Sequence, residues 1–169
     1  MSIYYVSTEL SHHGVKGMKW GVRRQEKRNA RHIDKMTAYR DKLAEKSSIK
    51  AGRRRKEAKK YSDELADLKK GGTNSESYKK YLKRKTSEVQ DFSDLADLWS
   101  KSSTNELLNT RVADVSKYHK AATNSARNWA KNNKALRNTT ITAATTKKEL
   151  KNMYKKNTRF DTLAYLNRD

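Results

Sequence analysis

The sequence predicts an all-α protein, built as extended helical hairpins with coiled-coil-like seams and a non-helical N-terminal arm. Three observations carry this. The 169 residues include no proline, so the strongest helix breaker is missing. Apolar residues recur at 3-4 spacing along most of the chain, the pattern of a helix face. The glycines are unevenly placed, with three of the six (Gly14, Gly17 and Gly21) close together near the start. Only 34% of the residues are hydrophobic and 35% are charged. The stripes are therefore narrow, mostly two residues per heptad. Such seams suit hairpins or helices lying on a larger surface better than a self-sufficient globule.

The first segment, residues 1–24, reads as an arm followed by a docking motif. Ile3, Tyr4, Tyr5 and Val6 suggest a short strand or a β-like arm. Residues 12–24 then hold the three glycines, and each costs a helix about 1 kcal/mol relative to alanine. Between them sit Val15, Met18, Trp20 and Val22, which require burial, beside Lys16, Lys19, Arg23 and Arg24. So short a segment cannot bury its own apolar side chains. It is expected to dock, either on the rest of the chain or on another protein.

A basic helical body follows over residues 25–138. Ile33, Met36, Arg40 and Leu43 are spaced 3-4-3. Gly52 and the triplet Arg53, Arg54, Arg55 are expected to interrupt this stripe, which resumes at Ala58, Tyr61, Leu65 and Leu68. Gly71-Gly72, preceded by Lys69 and Lys70, predicts a helix end and a hairpin turn over 71–74. Thr73 to Glu76 matches a capping box. One helix is then expected from about Ser75 to Ser100, with Tyr78, Leu82, Lys85, Val89, Phe92, Ala96 and Trp99 on its seam. Residues 93–98 echo residues 62–68, and chance recurrence explains this better than duplication. Ser103 to Glu106 is a second capping box, opening a helix whose stripe runs through Leu108, Val112, Val115, His119, Ala122, Ala126, Trp129 and Leu136. The Asn and Thr residues of 123–140 weaken that expectation towards its end. Residues 139–146 read as a Thr-rich linker or an extended segment docked elsewhere. A third box, Thr146 to Glu149, opens a C-terminal helix over 147–169.

The net charge is +21, unevenly distributed. Residues 14–60 carry 18 basic and 5 acidic side chains, residues 61–110 carry 8 and 9, and residues 111–169 carry 14 and 4. Two basic zones flank a neutral one, which points to a polyanion partner. The expected contacts are Lys27, Arg28, Arg31, Arg53, Arg54, Arg55, Lys56, Lys59 and Lys60. Such clusters position a protein on a nucleic-acid backbone and do not read bases.

Other chemistries find little support. There is no cysteine, hence no disulfide and no thiolate metal site. The four histidines lack a metal-binding spacing. The acids at 63, 64, 67, 91, 94 and 97 sit among leucines and read as solvated faces or salt-bridge partners. The glycine motif lacks the phosphate-loop pattern, and nothing resembles a nucleophile elbow. The protein is expected not to be an enzyme and to use no cofactor and no metal. No apolar run approaches the roughly 20 residues of a membrane span, and residues 1–10 lack the basic region of a secretory signal. No membrane partner is expected.

The run His13, Gly14, Val15, Lys16, Gly17, Met18, Lys19, Trp20, Gly21, Val22, Arg23, Arg24 resembles a short motif found near chain ends in virion-associated proteins of tailed bacteriophages, among them minor capsid and head proteins. The resemblance covers about a dozen residues and is silent on the fold of the rest. It implies a phage-particle context: a minor capsid or internal head protein in the capsid interior or on the head surface, present in the host cytoplasm before assembly. Its implied partners are the major capsid or portal protein and packaged double-stranded DNA, with multiple copies per particle. The alternatives are a free phage-encoded nucleic-acid-binding or host-takeover protein, or an internal protein ejected with the genome.

Overall fold

A computed structural model describes residues 20–89, 91–101 and 103–156. These residues are almost entirely helical, and no strand occurs among them. The expected strand or arm at residues 1–12, residues 13–19 of the motif and residues 157–169 of the C-terminal helix lie outside the described residues.

Helix α1, Trp20–Gly71, is 52 residues long, about 78 Å at 1.5 Å per residue. It corrects two expectations. The helix includes residues 20–24 of the motif, and it runs straight through Gly52 and the arginine triplet. One glycine costs about 1 kcal/mol, which helix propagation and tertiary packing on either side outweigh. Gly71 then ends α1 and Gly72 takes φ +53°, the left-handed conformation that glycine adopts without strain. A single 3₁₀ turn, Gly72–Asn74, completes the predicted corner. The cap of the next helix is Ser75, two residues later than expected. Its Oγ accepts from the Tyr78 amide at 3.0 Å.

The helix expected over 75–100 is two helices. Helix α2, Glu76–Glu88, ends at Val89, whose ψ of 108° is extended. Thr86 and Ser87 have turned their hydroxyls back onto carbonyls of the preceding turn, an arrangement that competes with continued helix. Asp91 starts α3, Phe92–Lys101, by accepting from the Ser93 amide at 3.3 Å. Helix α4, Thr104–Arg137, continues through the Asn-rich stretch. Ser103 holds its N-cap position, but the Glu106 amide bonds to the Ser103 carbonyl and not to its side chain. Helix α5, Lys147–Lys156, has the predicted reciprocal capping box. The Thr146 amide donates to Glu149 Oε2 at 2.9 Å, and the Glu149 amide to Thr146 Oγ1 at 3.2 Å.

Helices α1 and α4 form a long antiparallel pair. Contacts at Glu64–Arg111, Tyr61–Tyr118, Ser47–Asn132 and Arg40–Thr139 mark successive levels along it. At the Gly71 end, α2 folds back into the groove and builds a core of Leu68, Tyr78, Tyr81 and Val115. At the other end, the segment after α4 and α5 build a second core of Met36, Leu43, Ala44, Leu136 and Leu150, against which Ile141 packs. The Thr-rich linker is therefore docked: Arg40 Nη1 bonds the Thr139 carbonyl at 3.1 Å and His32 Nε2 the Thr145 carbonyl at 2.7 Å. Large apolar residues sit where a third helix covers the pair. Between the two ends, buried Ala51, Ala58, Ala122 and Ala126 line the seam. A waist that no third described helix covers buries small side chains and lets the axes come close.

Candidate nucleic-acid interface

Exposed cations line the outer face of α1 and gather at the waist. The buried residues of α1, among them Met36, Leu43, Ala51, Ala58 and Leu68, mark its inner face. Arg24, Arg28, Arg31, Lys35, Lys42, Lys46, Arg53, Lys56 and Lys60 follow one another at steps of three, four or seven, and every one is exposed. Such steps keep them on one face. They form a stripe from Arg24 to Lys60, about 54 Å long at the helical rise. A duplex rises about 3.4 Å per base pair on each strand, so the stripe matches the length of roughly 16 base pairs.

The expected contact residues fall into three groups. Arg28, Arg31, Arg53, Lys56 and Lys60 lie on the stripe, while Lys27 and Lys59 are exposed beside it. Arg54 is different. It is half-buried and its Nη1 meets Glu57 Oε2 at 2.6 Å, so its charge is partly spent within the helix. Arg55 points to the waist, where it lines an open notch of about 420 Å³ with Thr123, Arg127 and Lys131 over a floor of Ala58, Ala126 and Ala130. Arg127 and Lys131 went unnoticed in the sequence, because only the antiparallel pairing brings them beside Arg55. The notch places three cations around a small apolar floor, a shape that admits an anionic oxygen cluster or a sugar-phosphate unit.

Glu64, Asp67 and His32 take structural roles. Glu64 pairs with Arg111 across α1 and α4. Asp67 accepts from the Ser77 amide at 3.1 Å and so caps α2 from outside. Asp63, Glu64, Asp67 and Glu76 line a second groove, of about 530 Å³, together with Lys60, Lys80, Arg84 and Arg111. This mixed-charge surface offers no single sign to a ligand. No group of three or more His, Asp or Glu that could hold a metal ion occurs among the described residues. No described helix is long and apolar enough to cross a membrane. Of the docking motif, only Trp20, Gly21, Val22, Arg23 and Arg24 are described. They form the first residues of α1, with Trp20 and Val22 largely exposed.

Residues 4–27 match a family of unknown function (DUF7211). The match covers the arm, the motif and the start of α1. No curated protein and no solved structure matches the chain.

Proposed function

We propose that this chain is a non-enzymatic structural protein of a bacteriophage particle, a minor capsid or internal head protein that lies along the backbone of packaged DNA. The observation that supports it most is the exposed basic stripe of α1, continued at the waist by Arg55, Arg127 and Lys131. A straight row of cations at helical spacing is suited to phosphates and carries no base-reading geometry. The N-terminal motif, with Trp20 and Val22 exposed where it joins α1, serves as the anchor to the shell or portal protein. The phage context comes from the resemblance of residues 13–24 and not from the helical body.

Replacing Arg53, Lys56 and Lys60 together by Glu reverses the charge of one end of the stripe, beside the notch, and leaves the buried seam untouched. Affinity for duplex DNA is expected to fall by at least tenfold in low salt, equally for unrelated sequences, with helix content unchanged. Unaltered affinity would assign the stripe to an acidic protein surface. Mass spectrometry of purified particles tests the particle context, since a free nucleic-acid-binding protein would be missing from them.

A further inference from the structure

Among the described residues five large apolar side chains are exposed, and four of them lie in two places. Trp20 and Val22 are at the start of α1, 57% and 47% exposed; Phe92 and Trp99 are on α3, 88% and 54% exposed. Helix α3 makes few contacts with the other elements among the described residues. Its residues Phe92, Leu95, Ala96 and Trp99 share one face by their 3-1-3 steps, with Asp91 beside that face and Asp94 and Asp97 winding round the helix from it. It is thus an acidic, amphipathic helix on a strongly basic protein. The start of α1 has the opposite character. Trp20 lies one helical turn from Arg23 and Arg24, and the residues before it include Lys16, Met18 and Lys19.

These two surfaces cannot meet within one molecule. The Tyr78 hydroxyl donates to the Thr104 carbonyl at 3.2 Å, which ties the start of α4, and so the end of α3, to the Gly71 end of the rod. Trp20 lies at the other end of α1, roughly 75 Å away at helical rise. Residues 12–19, fully extended, reach about 28 Å from it. We infer that α3 is the docking surface for the N-terminal end of a second copy of this chain, Trp20 seating on Phe92, Leu95 and Trp99, with Arg24 and the basic character of the motif sequence complementing Asp91 and Asp94. This rests on the reading of the motif as an intermolecular anchor and names an acceptor for it beside the shell. The contact is heterologous, head to tail, and leaves a free head and a free tail on every assembly, so it propagates into a row. A row of rods would keep successive basic stripes on one continuous polyanion.

The test uses the full chain, freed of nucleic acid by nuclease and high salt so that DNA cannot bridge copies, and then followed by sedimentation velocity at moderate salt. Wild-type protein is expected to form species larger than dimer as concentration rises. A head variant, Trp20→Ala with Arg24→Glu, and a tail variant, Phe92→Ala with Trp99→Ala, are each expected to be monomeric with unchanged helix content. Their equimolar mixture should give a dimer and nothing larger, because the pair retains one working head and one working tail. Association of the head variant alone, as an α3-to-α3 contact would give, overturns the inference, and so does a wild-type protein that stays monomeric. If wild type is monomeric and Trp20→Ala is still lost from particles, the inference fails and the shell anchor stands. If Trp20→Ala changes neither, both fail.

Discussion

Asn132 is 2% exposed at the α5 end of the α1–α4 seam, one residue off the heptad stripe of α4. Its Nδ2 donates to Ser47 Oγ and to the Tyr154 carbonyl, each at 3.3 Å, and so joins α1, α4 and α5. Beside it, Asn133 Nδ2 donates to the Ala44 carbonyl at 2.5 Å. Directional bonds of this kind fix the register of two helices whose small seam residues would otherwise slide. Asn132→Ala is expected to cost about 1–3 kcal/mol, because the Tyr154 carbonyl and Ser47 hydroxyl lose their partner in a buried place. Urea unfolding measures it. Tyr78 has a comparable role at the other end. Burial raises its phenol above the ordinary 10.0, and the neighbouring Tyr81 adds to the rise. The folded state therefore holds that proton more tightly than the unfolded state. The contribution is fully present below about pH 10 and is lost as pH rises through the folded value. Melting temperatures at pH 8 and pH 10.5 should differ more for wild type than for Tyr78→Phe. The sequence places Tyr78 on a seam, but the hydrogen bonds of both residues are not legible in it. Asn132 counted against helix there, and the hydroxyl of Tyr78 finds Thr104 only through the fold.

At the scale of elements, the heptad stripes and the Gly71-Gly72 corner were legible, and the interruptions were not. Gly52 looked like a break, yet a Cβ built on it meets nothing within 4 Å, and the helix continues on both sides. Gly52→Ala is accordingly expected to stabilise the protein by about 1 kcal/mol, through helix propensity and a less flexible unfolded chain. A loss of stability in chemical denaturation would show that the residue is needed for close approach. The real break, at Val89 to Asp91, has no glycine or proline to announce it. It depends on side-chain hydroxyls turning back and on Asp91 offering a new cap. The similar strings at 62–68 and 93–98 show the same limit from another side. Leu65 and Leu68 enter the core of the Gly71 end, while Leu95 and Leu98 lie half-exposed on α3. One pattern has two fates, because α1 finds a partner helix and α3 packs closely on no other described helix.

At the scale of the whole molecule, the charge zones of the sequence become a geometry. Residues 61–110 carry 8 basic and 9 acidic side chains and gather at the Gly71 end, where α2, α3 and the start of α4 meet. The parts of the two basic zones carried by α1 and α4 lie antiparallel and form the shaft. The excess of cations was plain in the composition. Its division into an outer stripe, an ion-paired Arg54 and a notch shared by Arg55, Arg127 and Lys131 required the pairing of segments some seventy residues apart. The central claim is that this shaft binds a polyanion through many phosphates at once. The most direct measurement is the affinity for a 20-base-pair duplex between 50 and 300 mM salt. If six to nine cations of the stripe each displace a counterion, log K should fall with log[salt] at a slope of about −5 to −8, the same for unrelated sequences. A slope shallower than about −2, or no binding at the lowest salt, would contradict the account and turn the basic shaft towards an acidic protein.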